Sequence, residues 1–278
     1  MTTVGIIGLG LIGGSFAKAL KKSGKYRVLG YDISREVRDL STDKNIVSGI
    51  LDKTTAKDVE YLFAAVTPDN LAAAVKDFLP CLKDGATVTD LCGIKVAPVN
   101  QMKKWKAVFP NLKFFGGHPM AGKERYGIEN SDENLFSGAS MILTPIDDPI
   151  DEDFKKIFYS CGFSRITETD PDTHDSIIAY TSQLCHIVSS AFVKNETAQK
   201  HFGFSAGSLK DLTRVARLNP EMWSELIMQN KDKALKELKE FTANLSKYQI
   251  ALENSDKDEL KRLLSEGNTL KEKLDGEK

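Results

Sequence analysis

The stretch IIGLGLIGGS near the N-terminus leaves few folds open. It sets Gly8, Gly10 and Gly13 in a G-x-G-x-x-G spacing, directly after the apolar run TVGIIGL. The same glycines head LIGGSFAKALKKSG, a segment of helical periodicity that stops at Gly24. Each glycine has a separate physical reason. Gly8 permits a tight turn, Gly10 lets a phosphate approach the backbone, and Gly13 lets the helix lie close on the strand. A second apolar run, YRVLGYD, ends in Asp32, which is 32 − 13 = 19 positions past the last glycine. Strand, glycine turn, helix and acid in this order predict a dinucleotide-binding unit. The helix N-terminus offers free amides and partial positive charge to a pyrophosphate, and the acid accepts from the ribose hydroxyls.

The cofactor predicted is NAD, held by Gly8, Gly10, Leu11, Ile12 and Gly13 at the turn and by Asp32 at the ribose. A 2′-phosphate would meet the Asp32 carboxylate, while Arg35 nearby keeps NADP open. The alternation continues with strands at EYLFAAV, ATVTDL and KFFGGH, and helices at NLAAAVKDFLPCLKDG and APVNQMKKWKAVFP. This pattern predicts parallel βαβ units with both sheet faces covered. ASMILTP and FSRITET read as further strands around the helix DPIDEDFKKIFYSCGF. After Asp170 no strand signal remains and the segments are helical to Leu274. The predicted fold is α/β: a Rossmann-type parallel sheet domain over residues 1–170, then an all-α domain over 171–278. The charged tail after Glu266 is expected to fray.

Composition narrows the partners. The formal charge is −1 with a pI near 6.5, which carries no nucleic-acid footprint. No apolar run has the length of a membrane span, and the N-terminus lacks the basic lead-in of a signal peptide. The four cysteines are scattered without CxxC spacing, which reads as reduced thiols in the cytoplasm with no metal site.

The chain holds four histidines, and one of them, His118, sits between a glycine pair and a proline in FFGGHPMAGKERYG. In an open parallel sheet, ligands lie beyond the carboxyl ends of the strands. His118 follows such a strand, so it is expected to face the dinucleotide. A neutral imidazole suits removal of a hydroxyl proton as a hydride leaves the carbon.

IIGLGLIGGS, GGHPMAG, HDSIIAYTSQLCH and KDLTRVARLNPEMW stand in this order across nearly the whole chain. Together they resemble the prephenate/arogenate dehydrogenase family of tyrosine biosynthesis. The resemblance implies a Rossmann domain followed by a helical dimerisation domain, and hence a homodimer. It implies NAD-dependent oxidative decarboxylation of prephenate to 4-hydroxyphenylpyruvate, with arogenate as the alternative substrate. It makes His118 the catalytic base and Arg214 the arginine that binds a substrate carboxylate. It places His186 and, one turn earlier, Ser182 at the substrate side chain. Asp211, one turn before Arg214, is expected to orient it. His174 and Asp175, at a helix start, read as capping and packing residues, and His201 as a structural or surface residue.

Two departures from the family pattern stand out. The family often has serine in D-x-x-S-x-K near the catalytic histidine; here the segment is DLCGIK, with Gly93 at that place. The group that orients His118 is therefore open. SQLCH stands where SHLPH is common, so the side-chain pocket is open too. Two rival readings are another Rossmann/helical dehydrogenase, of the β-hydroxyacid dehydrogenase or imine reductase kind, and a module that binds NAD without turnover. HPMAG does not belong to the first, and a histidine-arginine pair argues against the second.

Overall fold

A computed structural model of the protein describes residues 1–276. The chain separates into two compact units, Met1–Asn230 and Lys231–Lys278. In the first, β1 (Thr2–Ile7), α1 (Leu11–Ser23), β2 (Tyr26–Tyr31), α2 (Arg35–Asp43) and β3 (Gly49–Ile50) open the fold. They are followed by β4 (Tyr61–Ala64), α3 (Pro68–Val75), β5 (Thr87–Asp90), α4 (Val96–Val108) and β6 (Lys113–Pro119). Then come β7 (Ser140–Pro145), α5 (Glu152–Ser160) and β8 (Arg165–Glu168).

These strands form one eight-stranded sheet in the order β3-β2-β1-β4-β5-β6-β7-β8. Strands β1 to β6 are parallel, as the βαβ pattern predicts; β7 pairs antiparallel to β6, with His118 opposite Ile142. β8 then runs parallel to β7. Strand alternation fills both faces. Val4, Ile6, Phe63 and Phe115 point to one side, against Phe16 of α1 and Phe154 and Phe158 of α5. Ile7, Leu62, Val88 and Phe114 point to the other, against Val75 of α3 and Met102 and Trp105 of α4. Because apolar side chains are buried on both faces, the strands read as continuous apolar runs rather than as alternating ones.

The switch in direction after the sixth strand matters for the site. β6 carries His118 to the carboxyl edge of the parallel strands, and β7 returns beside it. His118 is thus part of a regular ladder and not of a free loop. Gly116 and Gly117 are required there for lack of space. A Cβ on Gly117 would stand 2.6 Å from the Asp90 carbonyl oxygen, and one on Gly116 2.1 Å from Thr144 Oγ1.

The run PDTHDSIIAYTSQLCHIVSSAFVKN reads in the sequence as one helical stretch, and in the structure its winding changes midway. α6 (Pro171–Ile178) passes into a π-helical stretch, Ala179–Leu184, and then into α7 (Cys185–Phe192). α8 (Gly207–Thr213) and α9 (Pro220–Gln229) complete the first unit, the latter capped by Asn219, whose side chain accepts from Met222 N. The second unit is a pair of packed helices, α10 (Lys231–Glu253) and α11 (Lys257–Gly276), turned through Ser255 at a φ of 55°. Contrary to the expected fraying after Glu266, α11 continues to Gly276. The charges of that tail are spaced to pair along the helix, as Arg262 with Glu266 and Lys271 with Asp275 show.

Candidate active site

The glycine turn has the geometry its sequence implies. Gly8 has a φ of +85°, and a Cβ there would lie 2.4 Å from the Ala65 carbonyl oxygen. A Cβ on Gly13 would lie 1.8 Å from the Gly8 carbonyl oxygen, so α1 can approach the turn only without a side chain. At Gly10 a Cβ would meet nothing within 4 Å. That glycine is free of its own neighbours and faces open cleft. It also caps α1 without a side-chain hydrogen bond, which leaves the first amides of the helix to a ligand. Asp32, at the end of β2, accepts from Leu9 N at 2.8 Å and Ser34 N at 2.9 Å, which fixes its carboxylate beside the turn. These residues fit a dinucleotide with its pyrophosphate on α1 and a ribose at Asp32.

Gly8, Gly10, Leu11, Ile12 and Asp32 line one cleft with His118, Ser182, His186 and Arg214. Its volume of about 1380 Å³ exceeds what a single drug-sized ligand takes, and so leaves room for two ligands side by side. Three predicted residues stand elsewhere. Gly13 packs α1 on the turn. Arg35 points out and pairs with Asp39 at 3.5 Å with its side chain 85% exposed, so it does not reach the ribose site. The arginine that does line the cleft is Arg38, three residues on in α2. Its guanidinium lies 5.6 Å from the Tyr31 ring centroid, and Nη1 donates to the Ile33 carbonyl at 3.1 Å. α2 is easily missed in the sequence because REVRDLSTD has only Val37 and Leu40 as apolar signal. Asp211 is exposed and lies outside the cleft lining; the partner of Arg214 is instead Glu124, at 3.2 Å across an exposed pair.

His118 is half-buried, and its ring is held from behind. Nδ1 lies 2.9 Å from His174 Nε2, and His174 Nδ1 lies 2.7 Å from Asp175 Oδ1. His174 and Asp175 are each 1% exposed. Asp175 also accepts from the amides of Lys95 (2.6 Å) and Val96 (2.9 Å), which ties α6 to the start of α4. So His174 and Asp175 are not the caps the sequence suggested. The capping is done by Asp170, which accepts from Asp172 N and Thr173 N and leaves the next turn free to face the sheet. His201 is exposed, as expected, with Nδ1 3.0 Å from Ser205 Oγ.

Beneath this network lies a buried ion pair. The Lys95 ammonium donates to Asp90 Oδ2 and, at 2.5 Å, to the Gly117 carbonyl. Asp90 accepts in turn from Cys92 N at 2.9 Å and Gly117 N at 3.2 Å. Both side chains are fully enclosed. The pair therefore grips both the amide and the carbonyl of Gly117, the residue that precedes His118.

The electrostatics keep the imidazoles neutral. Burial holds His118 well below the ordinary histidine range, and His174 and the Lys95 ammonium push the same way. Burial also lowers His174 against the opposing pull of Asp175. For Asp175, burial acts upward, but the hydrogen bonds from His174, Val96 and Lys95 outweigh it and hold the carboxyl below its usual range. At the other end of the cleft, His186 stacks on Trp223 with ring centroids 3.8 Å apart, and Nδ1 donates to the Ser182 carbonyl at 2.8 Å. Burial lowers its pKa as well. Gln183 donates to Leu226 O at 3.0 Å and accepts from Asn230 Nδ2 at 2.9 Å, a bond that ties the π-helical stretch to the end of α9.

A glycine turn on a parallel sheet, an acid at the ribose position and a neutral histidine at the far side of the same cleft define a dinucleotide-dependent dehydrogenase. Residues 16–160 match the family described as prephenate dehydrogenase, nucleotide-binding domain, and residues 170–266 match prephenate dehydrogenase, dimerization domain. The chain belongs to the prephenate dehydrogenase family. It is 29% identical over 288 residues to a prephenate dehydrogenase of Bacillus subtilis, covering 99% of this chain and 76% of that one. The Aquifex aeolicus prephenate dehydrogenase in complex with hydroxyphenyl propionate and NAD+ superposes with a TM-score of 0.83 at 28% identity, over 99% of this chain and 98% of that one. The Synechocystis arogenate dehydrogenase superposes with a TM-score of 0.81 at 25% identity, over 98% and 100% of the two chains. Among the described residues no helix is long and apolar enough to cross a membrane, and no cluster of side chains has the makings of a metal site.

Proposed function

We propose that the protein carries out the NAD-dependent oxidative decarboxylation of prephenate to 4-hydroxyphenylpyruvate, with His118 as the base. The observation that carries this reading is that His118 of β6 and Arg214, just past α8, line one cleft together with the glycine turn. NAD, when bound, supplies the hydride acceptor. The glycine turn and the α1 amides hold its pyrophosphate and Asp32 its ribose. His118 takes the proton of the substrate 4-hydroxyl as the carbinol C–H bond breaks and the C=O bond forms. The ring carboxylate then leaves as carbon dioxide, its C–C electron pair passes through the now aromatic ring to the 4-oxygen, and that oxygen takes a proton back from His118 to give the phenol. The protein has to align the reacting carbon, accept one proton and hold two carboxylates.

Arg214 suits a carboxylate because its planar fork binds both oxygens. Its pairing with Glu124 is exposed and therefore weak, so a substrate carboxylate can replace it. Arg217 also lines the cleft, and Lys123 lines it while paired with Asp132 at 2.6 Å, so the two arginines face the acid Glu124. That positive balance favours the dianion prephenate over arogenate, whose ammonium cancels one charge. His186 and Ser182 are assigned to the substrate side chain. In Arg214→Ala we expect KM for prephenate to rise by about tenfold to a hundredfold with kcat largely kept. A wild-type KM would remove Arg214 from the carboxylate role.

The histidine environment sets the pH profile. Protonation of His118 would disable the base. Its folded-state pKa lies below the ordinary value of about 6.5, so it stays unprotonated as the pH falls through that value. The acid limb of kcat/KM is expected well below pH 6.5, measured with saturating NAD in a buffer series. A limb centred at or above 6.5 would contradict the assignment.

The reading as a whole is tested by a panel of prephenate and arogenate, each with NAD and NADP, followed by reduced nicotinamide absorbance. Prephenate with NAD should give the highest kcat/KM. A higher value with arogenate would transfer the assignment to that substrate, and no turnover with either would overturn it. We further propose a division into a dinucleotide domain over 1–170 and a helical domain over 171–278, and a homodimer. The dimerization-domain match supports the dimer, as do Phe202 and Phe204, at 92% and 93% exposure.

A further inference from the structure

We infer that His174 and Asp175 are positioning residues that fix the tautomer of His118, so that its Nε2 lone pair faces the cleft without help from a side chain at position 93. The inference rests on the reading of His118 as the base. It follows from the donor and acceptor inventory along one buried line. An ionised carboxylate only accepts, and Asp175 already accepts the amides of Lys95 and Val96. His174 must therefore carry its proton on Nδ1 to make the 2.7 Å bond to Asp175. As a neutral ring, it then has a bare Nε2, which can only accept. His118 Nδ1, 2.9 Å away, must supply the proton. A neutral His118 with its proton on Nδ1 has its lone pair on Nε2.

Position 93 shows where that lone pair points. A Cβ added to Gly93 would stand 3.9 Å from His118 Nε2 and 3.6 Å from the Leu226 methyl carbons, with no closer neighbour. Gly93 and His118 both line the cleft. Nε2 is thus the ring atom presented to the substrate hydroxyl, and a Cβ at position 93 would meet it and Leu226 only at ordinary contact distance. The family pattern places a serine there in many members. Here the orientation is supplied from the opposite edge of the ring, through α6, and the network reaches the α4 N-terminus through the two amides on Asp175. The arrangement is analogous to a carboxylate-oriented histidine that holds a second group in the reactive tautomer.

The test uses the full-length protein labelled with 15N-histidine, which is tractable because the chain has four histidines. In the wild type, the His118 ring should show its proton on Nδ1 and an unprotonated Nε2, and His174 should show the same tautomer. In His174→Gln the side-chain carbonyl can still accept from His118 Nδ1, so tautomer and kcat should both be largely retained. In His174→Ala the acceptor is gone. His118 should shift toward the Nε2-protonated form, with kcat down by about tenfold to a hundredfold and KM within about twofold. A wild-type spectrum with the His118 proton on Nε2 would overturn the inference, as would an unchanged kcat in His174→Ala. Should His174→Ala not fold, the wild-type spectrum and the Gln variant still decide. The base assignment fails separately: it falls if His118→Asn turns over normally, whatever the spectrum shows.

Discussion

His118→Asn is expected to lower kcat by about two to four orders of magnitude while KM for prephenate stays near the wild-type value. The asparagine amide can still donate toward His174 Nε2, so the buried network keeps its acceptor satisfied and the fold is undisturbed. What disappears is a basic nitrogen facing the cleft. A proton acceptor acts as the hydroxyl bond breaks, so its loss appears in turnover more than in substrate affinity. Steady-state kinetics with prephenate and NAD, with dinucleotide affinity measured separately, check this. A kcat within about threefold of wild type would take His118 out of the chemistry. A tenfold loss of NAD affinity would mean that the substitution had reached the glycine turn.

The second large effect is on stability. Lys95→Met should destabilise the fold by about 3–5 kcal/mol, because it leaves the Asp90 carboxylate buried with no compensating cation. Asp90 would keep only the amides of Cys92 and Gly117. The Gly117 carbonyl would lose its 2.5 Å donor as well. Urea unfolding should show the loss as a lower midpoint at an unchanged slope. Removing both charges, as in Asp90→Asn with Lys95→Met, should recover much of the loss, since the buried charge goes with its cation while an amide oxygen still accepts from Cys92 N and Gly117 N. If the single and double variants were equally unstable, the ion pair would not be the origin of the effect. Because Lys95 and Asp90 hold the peptide beside His118, the folded fraction of the single variant should also turn over more slowly.

The pattern of what was legible in the sequence has physical causes. The glycine turn, β1, β4, β5 and β6 follow from continuous apolar runs bounded by glycine and charged residues, which is how a sheet covered on both faces must read. The family is recognisable from HPMAG and LTRVARLNPEMW because those segments carry the cleft. α2 was lost because it touches the core with only two apolar residues. The antiparallel direction of β7 was not visible, since ASMILTP has the same apolar run whichever way it pairs. The largest omission in the site is His174 with Asp175. Their position three and four residues after Pro171 mimics a helix start, and only the fold shows that Asp170 already fills that role. A histidine directly before an aspartate, in a segment otherwise suited to packing, was the one available signal. Arg35 and Arg38 differ by less than a turn of α2, too little for a sequence without a firm helix boundary to choose between them.

The wide-turned stretch Ala179–Leu184 has a consequence for chain length. Residues 174 and 186 are 186 − 174 = 12 positions apart. In an unbroken α-helix, at about 100° per residue, they would face directions roughly 120° apart. Six residues of the looser winding, at about 80° each, take back nearly all of that angle and bring both imidazoles to one side. The spacing between the ring that steadies the base and the ring that meets the substrate is therefore an angular setting. Tightening 179–184 to ordinary α winding at the same chain length would swing His186 off Trp223, whereas deleting one residue along with it would leave 11 steps of about 100°, only about 20° from a common face.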